Sequence, residues 1–335
     1  MMTDWAAIGT NWNEQETANA MRELLPEWGF PRGSSIKLLS LSENAVFLVE
    51  SPQDNTRLIL RVHMQGYNTP AEIDAELTWL GVIIAETDLE TVRPIPTARG
   101  ILRNMLADGR SIVGFEYIRG VPIDAENDLL PSMEMLGVMT AKLHLHSKSW
   151  VPPYSFQRKR WDFKNCLGDH AIWGDWRHAM GLSNEGHEMI TKVITVLEKR
   201  LLSWGTGAER FGLIHGDAKS ANLLIGAAGP VLLDFDDCGF GWYLYDFACA
   251  ATDVNTVKDV DICAAAWAKG YRSVSTLSLC EEQMLLTFVL LRRIMTMAWA
   301  ASHTYSKIAM RDYGVSYTEL TLVFANELLS RGVNH

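Results

Sequence analysis

The chain has 335 residues, 48% of them hydrophobic, and a formal net charge of −10. Such a length holds two lobes with separate cores, and such an apolar share excludes general disorder. The acidic balance argues against a nucleic-acid surface, which needs clustered Lys and Arg to neutralise phosphates, and leaves cationic substrates open.

In chain order, residues 14–28 carry Ala18, Met21, Leu24 and Leu25 on one helical face and end near Pro26 and Gly29. Alternating runs at 35–41, 45–51 and 57–63 predict three antiparallel strands, the last two joined by the turn PQDN. Residues 71–86 space Ile73, Leu77, Leu80 and Ile84 as a helix, with Thr69 and Pro70 suited to its start. A second hairpin, 101–106 and 111–118 around ADGR, completes a five-stranded sheet with one helix against it. Residues 119–128 have Gly, Pro and acidic residues without periodicity, which sets the boundary between an N-terminal lobe, 1–118, and a C-terminal lobe, 119–335. Beyond it 132–146, 184–204, 257–271 and 281–302 have helical periodicity, so the fold class is α+β.

Apolar runs such as 284–291 fall short of the ~18 residues of a membrane span. The N-terminus lacks the basic start and apolar centre of a secretory signal. Cys166, Cys238, Cys249, Cys263 and Cys280 form no CxxC pair and read as reduced thiols. The expectation is a soluble cytoplasmic protein with no nucleic-acid or membrane partner and an open oligomeric state.

The strand-like island in the helical half is LIHGDAKSANLLIGAAGPVLLDFDD, residues 213–237. Its first segment leads to Asp217, and ANLLI and PVLLDFDD read as a hairpin turning at GAAG. Asn222 starts the first strand and Asp234 ends the second, so the hairpin returns both to the edge that holds Asp217. One carboxylate to orient a hydroxyl, with an amide and a second carboxylate to hold Mg²⁺, is the equipment of phosphoryl transfer from a nucleotide.

His-Gly-Asp, four residues, Asn, then Asp-Phe-Asp after an apolar strand resembles the aminoglycoside phosphotransferase and choline kinase superfamily, a bilobal protein-kinase-like fold. Residues 135–150 look like that family's Leu-His helix. FDDCGFGWYLYDFA, 235–248, is similar to the branch that includes homoserine kinases and a bacterial stress-response Ser/Thr kinase. The resemblance implies ATP and Mg²⁺ as cofactors, Asp217 as catalytic base, Asn222 and Asp234 as metal ligands, His215 as a loop prop and Asp246 as a brace. It leaves Asp236 between a second metal and a loop contact, and makes Asp237 structural. Lys219 falls where a lysine can meet the transferred phosphate, against the plainer reading of an exposed loop lysine. His144 and His146 read as hydrogen-bonded helix residues.

Two departures stand out against that family. No lysine occurs between Lys37 and Lys142, and Arg61 occupies the strand position of the phosphate-binding lysine. Glu76 is its expected partner, with Glu72 as the other choice. LSENAV, 41–46, lacks a GxGxxG phosphate loop, which leaves Ser42 and Asn44 for local hydrogen bonds. The expected adenine hinge runs by Glu116 and Tyr117, and the Trp-rich segment 156–180 sits where the superfamily builds its acceptor site, although such Trp residues more often pack helices. The implied function is an ATP- and Mg²⁺-dependent phosphotransferase acting on a hydroxyl of a small-molecule acceptor, such as an amino alcohol, aminoglycoside or homoserine-like compound. The alternatives are a Ser/Thr protein kinase of the stress-response type and a nucleotide-binding pseudokinase.

Overall fold

Alternation in the third strand organises the first part of the chain. The computed structural model describes residues 12–124 and 127–331. There β1 (Ser35–Leu41), β2 (Asn44–Glu50), β3 (Arg57–His63), β4 (Arg103–Met105) and β5 (Ser111–Glu116) form an antiparallel sheet in the order β1-β2-β3-β5-β4. The period of two sends Leu58, Leu60 and Val62 to one face, where they join Phe47, Val49, Met21 and Leu25 in a buried cluster. Met21 comes from α1 (Glu14–Leu24), and Leu25 from the short turn that follows it, which carries Pro26 near its start and is closed by the left-handed Gly29. The sheet therefore carries a helix on this face in addition to the expected one.

Arg61 points to the other face, toward α2 (Pro70–Glu86). That helix starts with a capping box: Thr69 Oγ1 accepts the Glu72 amide at 3.2 Å and Glu72 Oε2 accepts the Thr69 amide at 2.8 Å. Capping occupies Glu72 and leaves Glu76, one turn on, to face the sheet.

The larger part is built on α3 (Leu129–Ser149), α5 (Asn184–Trp204), α7 (Val257–Arg272), α8 (Leu279–Ser302) and α10 (Val315–Ser330). Shorter helices α4 (Phe163–Leu167), α6 (Tyr245–Ala250) and α9 (Lys307–Asp312) fill between them, and α9 and α10 were not anticipated from sequence periodicity. By length and composition alone α8 could cross a bilayer, which the short run 284–291 understates, yet 83% of its most apolar window is buried inside this fold. It serves as a core helix.

Two small sheets carry the 213–237 stretch. The hairpin β9 (Leu223–Gly226) and β10 (Gly229–Leu232) is extended by β6 (Val121–Pro122), while β11 (Gly239–Trp242) lies between β7 (Arg160–Trp161) and β8 (Phe211–Ile214). The 213–237 stretch is therefore not the lone strand island of this half. GFGW has little intrinsic strand preference, and its pairing with β8 makes it a strand.

α3 and α7 cross closely at two glycines: a Cβ on Gly137 would come within 2.1 Å of the Trp267 carbonyl oxygen, and one on Gly270 within 2.0 Å of the Glu134 carbonyl oxygen. In an open helix, Gly→Ala stabilises by up to about 1 kcal/mol. Here Gly137→Ala must instead force the helices apart, and urea unfolding should register a loss of about 2 kcal/mol or more. A gain in stability would mean that the crossing is looser than described.

Candidate active site

β8 ends at His215-Gly216-Asp217, a loop held from behind by a single carboxylate. Asp246, fully buried in the first turn of α6, accepts the amides of His215 at 3.1 Å and Gly216 at 2.8 Å. His144 Nε2 meets the same carboxylate at 3.0 Å and its Nδ1 meets the Tyr271 hydroxyl at 3.1 Å. Burial lowers the His144 pKa, so a neutral ring donates to Asp246 through Nε2 and accepts from Tyr271. His215 is likewise held neutral by burial: its Nε2–H donates to the Leu233 carbonyl at 2.9 Å and its Nδ1 accepts the Asp217 amide at 3.2 Å. Gly216 has φ of 80°, and a Cβ there would lie 2.5 Å from the Asp237 carbonyl oxygen, so this turn requires glycine.

Asp217 is gripped by two cations. Arg292 Nη2 donates to Oδ1 at 2.6 Å, Lys219 Nζ lies 3.0 Å from Oδ2, and Asn222 Nδ2 donates to Oδ2 at 3.0 Å and to the Asp217 carbonyl at 2.9 Å. Burial alone would raise this carboxyl, and Lys219 and Arg292 outweigh it to hold the group below the usual range. Arg292, from the middle of α8, is buried; its guanidinium also bonds the Tyr245 hydroxyl at 3.0 Å and lies over the Trp173 ring at 4.4 Å. Sequence reasoning missed Arg292. The available signal was the pair Arg292-Arg293 inside the apolar helix, since buried charges need partners.

Across the cleft Arg61 Nη2 donates to both Glu76 oxygens at 2.7 Å in a buried pair, and its Nη1 lies 3.5 Å from Asp234 Oδ1. Asp234 has φ of 60°, a left-handed conformation that costs a non-glycine residue about 1–3 kcal/mol. Half of its side chain is open to the cleft. Burial of the remainder, with Asp236, Asp217 and Glu76 crowding it against the pull of Arg61, pushes its pKa up to about 7. A carboxylate so crowded by its own kind is short of a cation.

The next two aspartates are differently placed. Asp236 is buried, accepts Asn68 Nδ2 at 2.8 Å, lies 3.6 Å from His63 Nδ1, and is brought down to about 2 against burial by Arg61, His63, Lys159 and Arg158. Asp237 accepts from Tyr67 and from Lys159 Nζ at 3.3 Å, and burial outweighs that lysine to push it up to about 6. Arg158, also unforeseen, donates to the backbone carbonyls of Asp236, Cys238 and Glu72 and so ties the loop to α2.

The remaining expected positions are dispersed. Ser42 donates its amide to the Asn44 carbonyl at 2.9 Å, and Asn44 is buried beside His63, with which it pairs in the sheet. Glu116 gives its amide to the Arg93 carbonyl at 2.9 Å, and Tyr117 meets Arg57 at 3.4 Å. Neither of these side chains joins the Asp217 cluster. Trp161, Trp173 and Trp176 are buried packing residues, although Trp173 Nε1 also donates to Tyr67 at 3.1 Å.

The carboxylate of Asp234 and the Oδ1 of Asn222, which lies outside both bonds of that side chain, are hard oxygen donors of the kind that Mg²⁺ takes. Among the described residues no three His, Cys, Asp or Glu form a self-sufficient metal cage. The residues present therefore fit an ion that arrives with phosphate oxygens as its further ligands.

A five-stranded antiparallel sheet joined to a helical lobe, with an Asp-Asn-Asp group at the junction, is the architecture of kinase-like phosphotransferases. The model of the phosphotransferase enzyme family (APH) matches residues 35–281, and the chain belongs to that family: it is a phosphotransferase with an alcohol group as acceptor. A microcompartment-associated aminopropanol kinase of known structure is 36% identical, with a TM-score of 0.85 over 93% of this chain and 97% of that one. An amicoumacin kinase in complex with AMP-PNP and Ca²⁺, 16% identical, covers 97% of this chain and 96% of its own with a TM-score of 0.77, a likeness of fold. An uncharacterised protein of Synechocystis is 27% identical over 268 residues, 76% of this chain and 69% of that protein.

Asp246→Asn keeps the shape of the brace but turns an acceptor toward the His215 or Gly216 amide, or toward His144, into a donor. Chemical denaturation should register a loss of about 2–4 kcal/mol. A loss under about 0.5 kcal/mol, the range of an ordinary surface change, would show that the loop stands without it.

Proposed function

We propose that this enzyme transfers the γ-phosphate of ATP, with Mg²⁺, to the hydroxyl of a small amino alcohol. The observation that carries the reading is the convergence of Asp217, Asn222, Asp234 and the Arg61–Glu76 pair on one cleft between sheet and helices. The 36% identity to an aminopropanol kinase over nearly the whole chain supports an amino alcohol among possible acceptors. A bond from Trp299 of α8 to Glu43 of the β1–β2 turn bridges the cleft. That bridge favours an enclosed small molecule over the open surface a protein substrate needs.

In this reading the sheet lobe ahead of residue 119 takes the nucleotide. Arg61, oriented by Glu76, meets phosphate oxygens, with the turn at Ser42 and Asn44 above them and the main chain near Glu116 and Tyr117 beside the adenine. Asn222 and Asp234 hold the metal, which when bound supplies neutralisation of phosphate charge. Asp236 works as a brace, because its carboxylate is already engaged by Asn68, His63 and neighbouring cations.

Asp217 orients the acceptor hydroxyl. Held below the usual carboxylate range, it takes the proton late, when bond formation has made the hydroxyl acidic. Lys219 sits beside the same carboxylate and is a cation available to the transferred group. Arg292 fixes which oxygen of Asp217 faces the substrate.

Asp217→Asn should lower kcat by about a hundredfold or more while the Kd for MgADP stays within about threefold, because the base serves the acceptor. Retention of more than about a tenth of kcat would remove Asp217 from this role.

Asp234 tests the metal assignment through pH. Its folded pKa is raised, so the stability linked to its protonated form is present at low pH and lost as pH climbs to about 7, where an ionised Asp234 needs a cation. The gain in Tm from MgADP over ADP with EDTA should therefore be larger at pH 8 than at pH 6, and Asp234→Asn should abolish the difference. An equal difference in the variant would assign the pH effect to the nucleotide.

A further inference from the structure

Glu43 is the apex of the β1–β2 turn, and its backbone is pinned on both sides: Ser42 donates its amide to the Asn44 carbonyl at 2.9 Å, and the Met64 amide donates to the Glu43 carbonyl at 3.1 Å. Its side chain leaves the sheet and reaches α8, where Oε1 accepts the indole N–H of Trp299 and lies 3.7 Å from His303 Nε2. Burial lowers the His303 pKa against the pull of Glu43, so that imidazole is a poor counterion. Among the described residues no Lys or Arg lies within ion-pair distance of Glu43, and Oε2 has no bond. Trp299 presents its N–H edge to Glu43, while its ring stacks on His303 at 5.1 Å and takes Tyr313 edge-on at 5.8 Å.

The helix provides a ruler. Arg292, which holds Asp217, and Trp299, which holds Glu43, are seven residues apart on one face of α8, about 10 Å along its axis. Both carboxylates are therefore held from one face of a single helix, Asp217 through Arg292 and Glu43 through Trp299. An unbonded carboxylate oxygen suits an ammonium group, through charge and a charge-assisted hydrogen bond.

We infer that Glu43 is the specificity-determining carboxylate for the acceptor: its Oε2 takes the protonated amine while Asp217 takes the hydroxyl. The inference rests on the amino-alcohol reading above and assigns the amine contact to the lobe that carries the nucleotide. The turn that holds Glu43 also lies over the phosphates in that reading, so nucleotide and amine should each tighten the binding of the other.

The test uses 1-amino-2-propanol and 1,2-propanediol, which differ only in amine against hydroxyl, with wild type and Glu43→Gln. Gln keeps an oxygen for the Trp299 N–H and removes the charge. Wild type should prefer the amine in kcat/KM by about a hundredfold, and Glu43→Gln should raise the KM for the amine and reduce that preference by about tenfold or more. The Kd for MgADP should stay within about twofold, which also certifies that the variant is folded. A preference preserved in Glu43→Gln, or equal losses on amine and diol, would overturn the inference and leave Glu43 as a tie between the lobes. Should wild type phosphorylate no amino alcohol across a two- to four-carbon panel, the reading on which the inference rests fails with it, a result distinguishable because it appears before any substitution.

Discussion

Like charge gathered in one place is the constraint on which the rest of this structure depends. Asp217, Asp234, Asp236 and Asp237 fall within one short stretch of chain, and the fold answers them with cations drawn from distant elements: Arg292 from α8, Arg61 from β3, and Arg158 and Lys159 from the segment ahead of β7. Asp217 and Asp236 are pulled below their usual range, and Asp234 is left above it. Asp237 is also raised, but it is largely buried and bonded by Tyr67 and Lys159, so the uncompensated charge that faces the cleft sits at Asp234, half open to it. That asymmetry separates braces from a candidate ligand more sharply than spacing along the chain does, since Asp234 and Asp236 are only two residues apart.

Geometry follows from the same arrangement. The buried Asp246 receives two loop amides and a histidine, which sets the plane of the His-Gly-Asp turn, and neutral His215 then presents Nδ1 to the Asp217 amide. α8 carries this order outward, because its buried face touches Asp217 at Arg292 and the β1–β2 turn at Trp299. One rigid helix thus relates Asp217 to a residue of the opposite lobe. A long apolar helix through the core is the element suited to holding that distance.

Much of the fold was legible before any coordinates. Alternation located the sheet and sent Arg61 to one face, helical spacing located α2 and the principal helices of the second lobe, and the 213–237 stretch brought Asp217, Asn222 and Asp234 to one edge. The choice between Glu72 and Glu76 was harder, and local chemistry resolves it: Glu72 caps its own helix, while Glu76 meets Arg61. Less legible were β7 and β11, whose strand character comes from pairing, and α9 and α10, which periodicity did not bring out.

By itself the sequence determined the local matters: where strands and helices run, which residues share a face, and which short-range motif supplies carboxylates and an amide. Periodicity and turn chemistry act over a few residues and are written in the order of amino acids. Only the tertiary structure decided which cation answers which carboxylate, because Arg292 is 75 positions from Asp217 and Trp299 is 256 positions from Glu43. Charge compensation and burial depend on distance in space, and the packing of α8 against the His215-Gly216-Asp217 loop and the β1–β2 turn creates those distances.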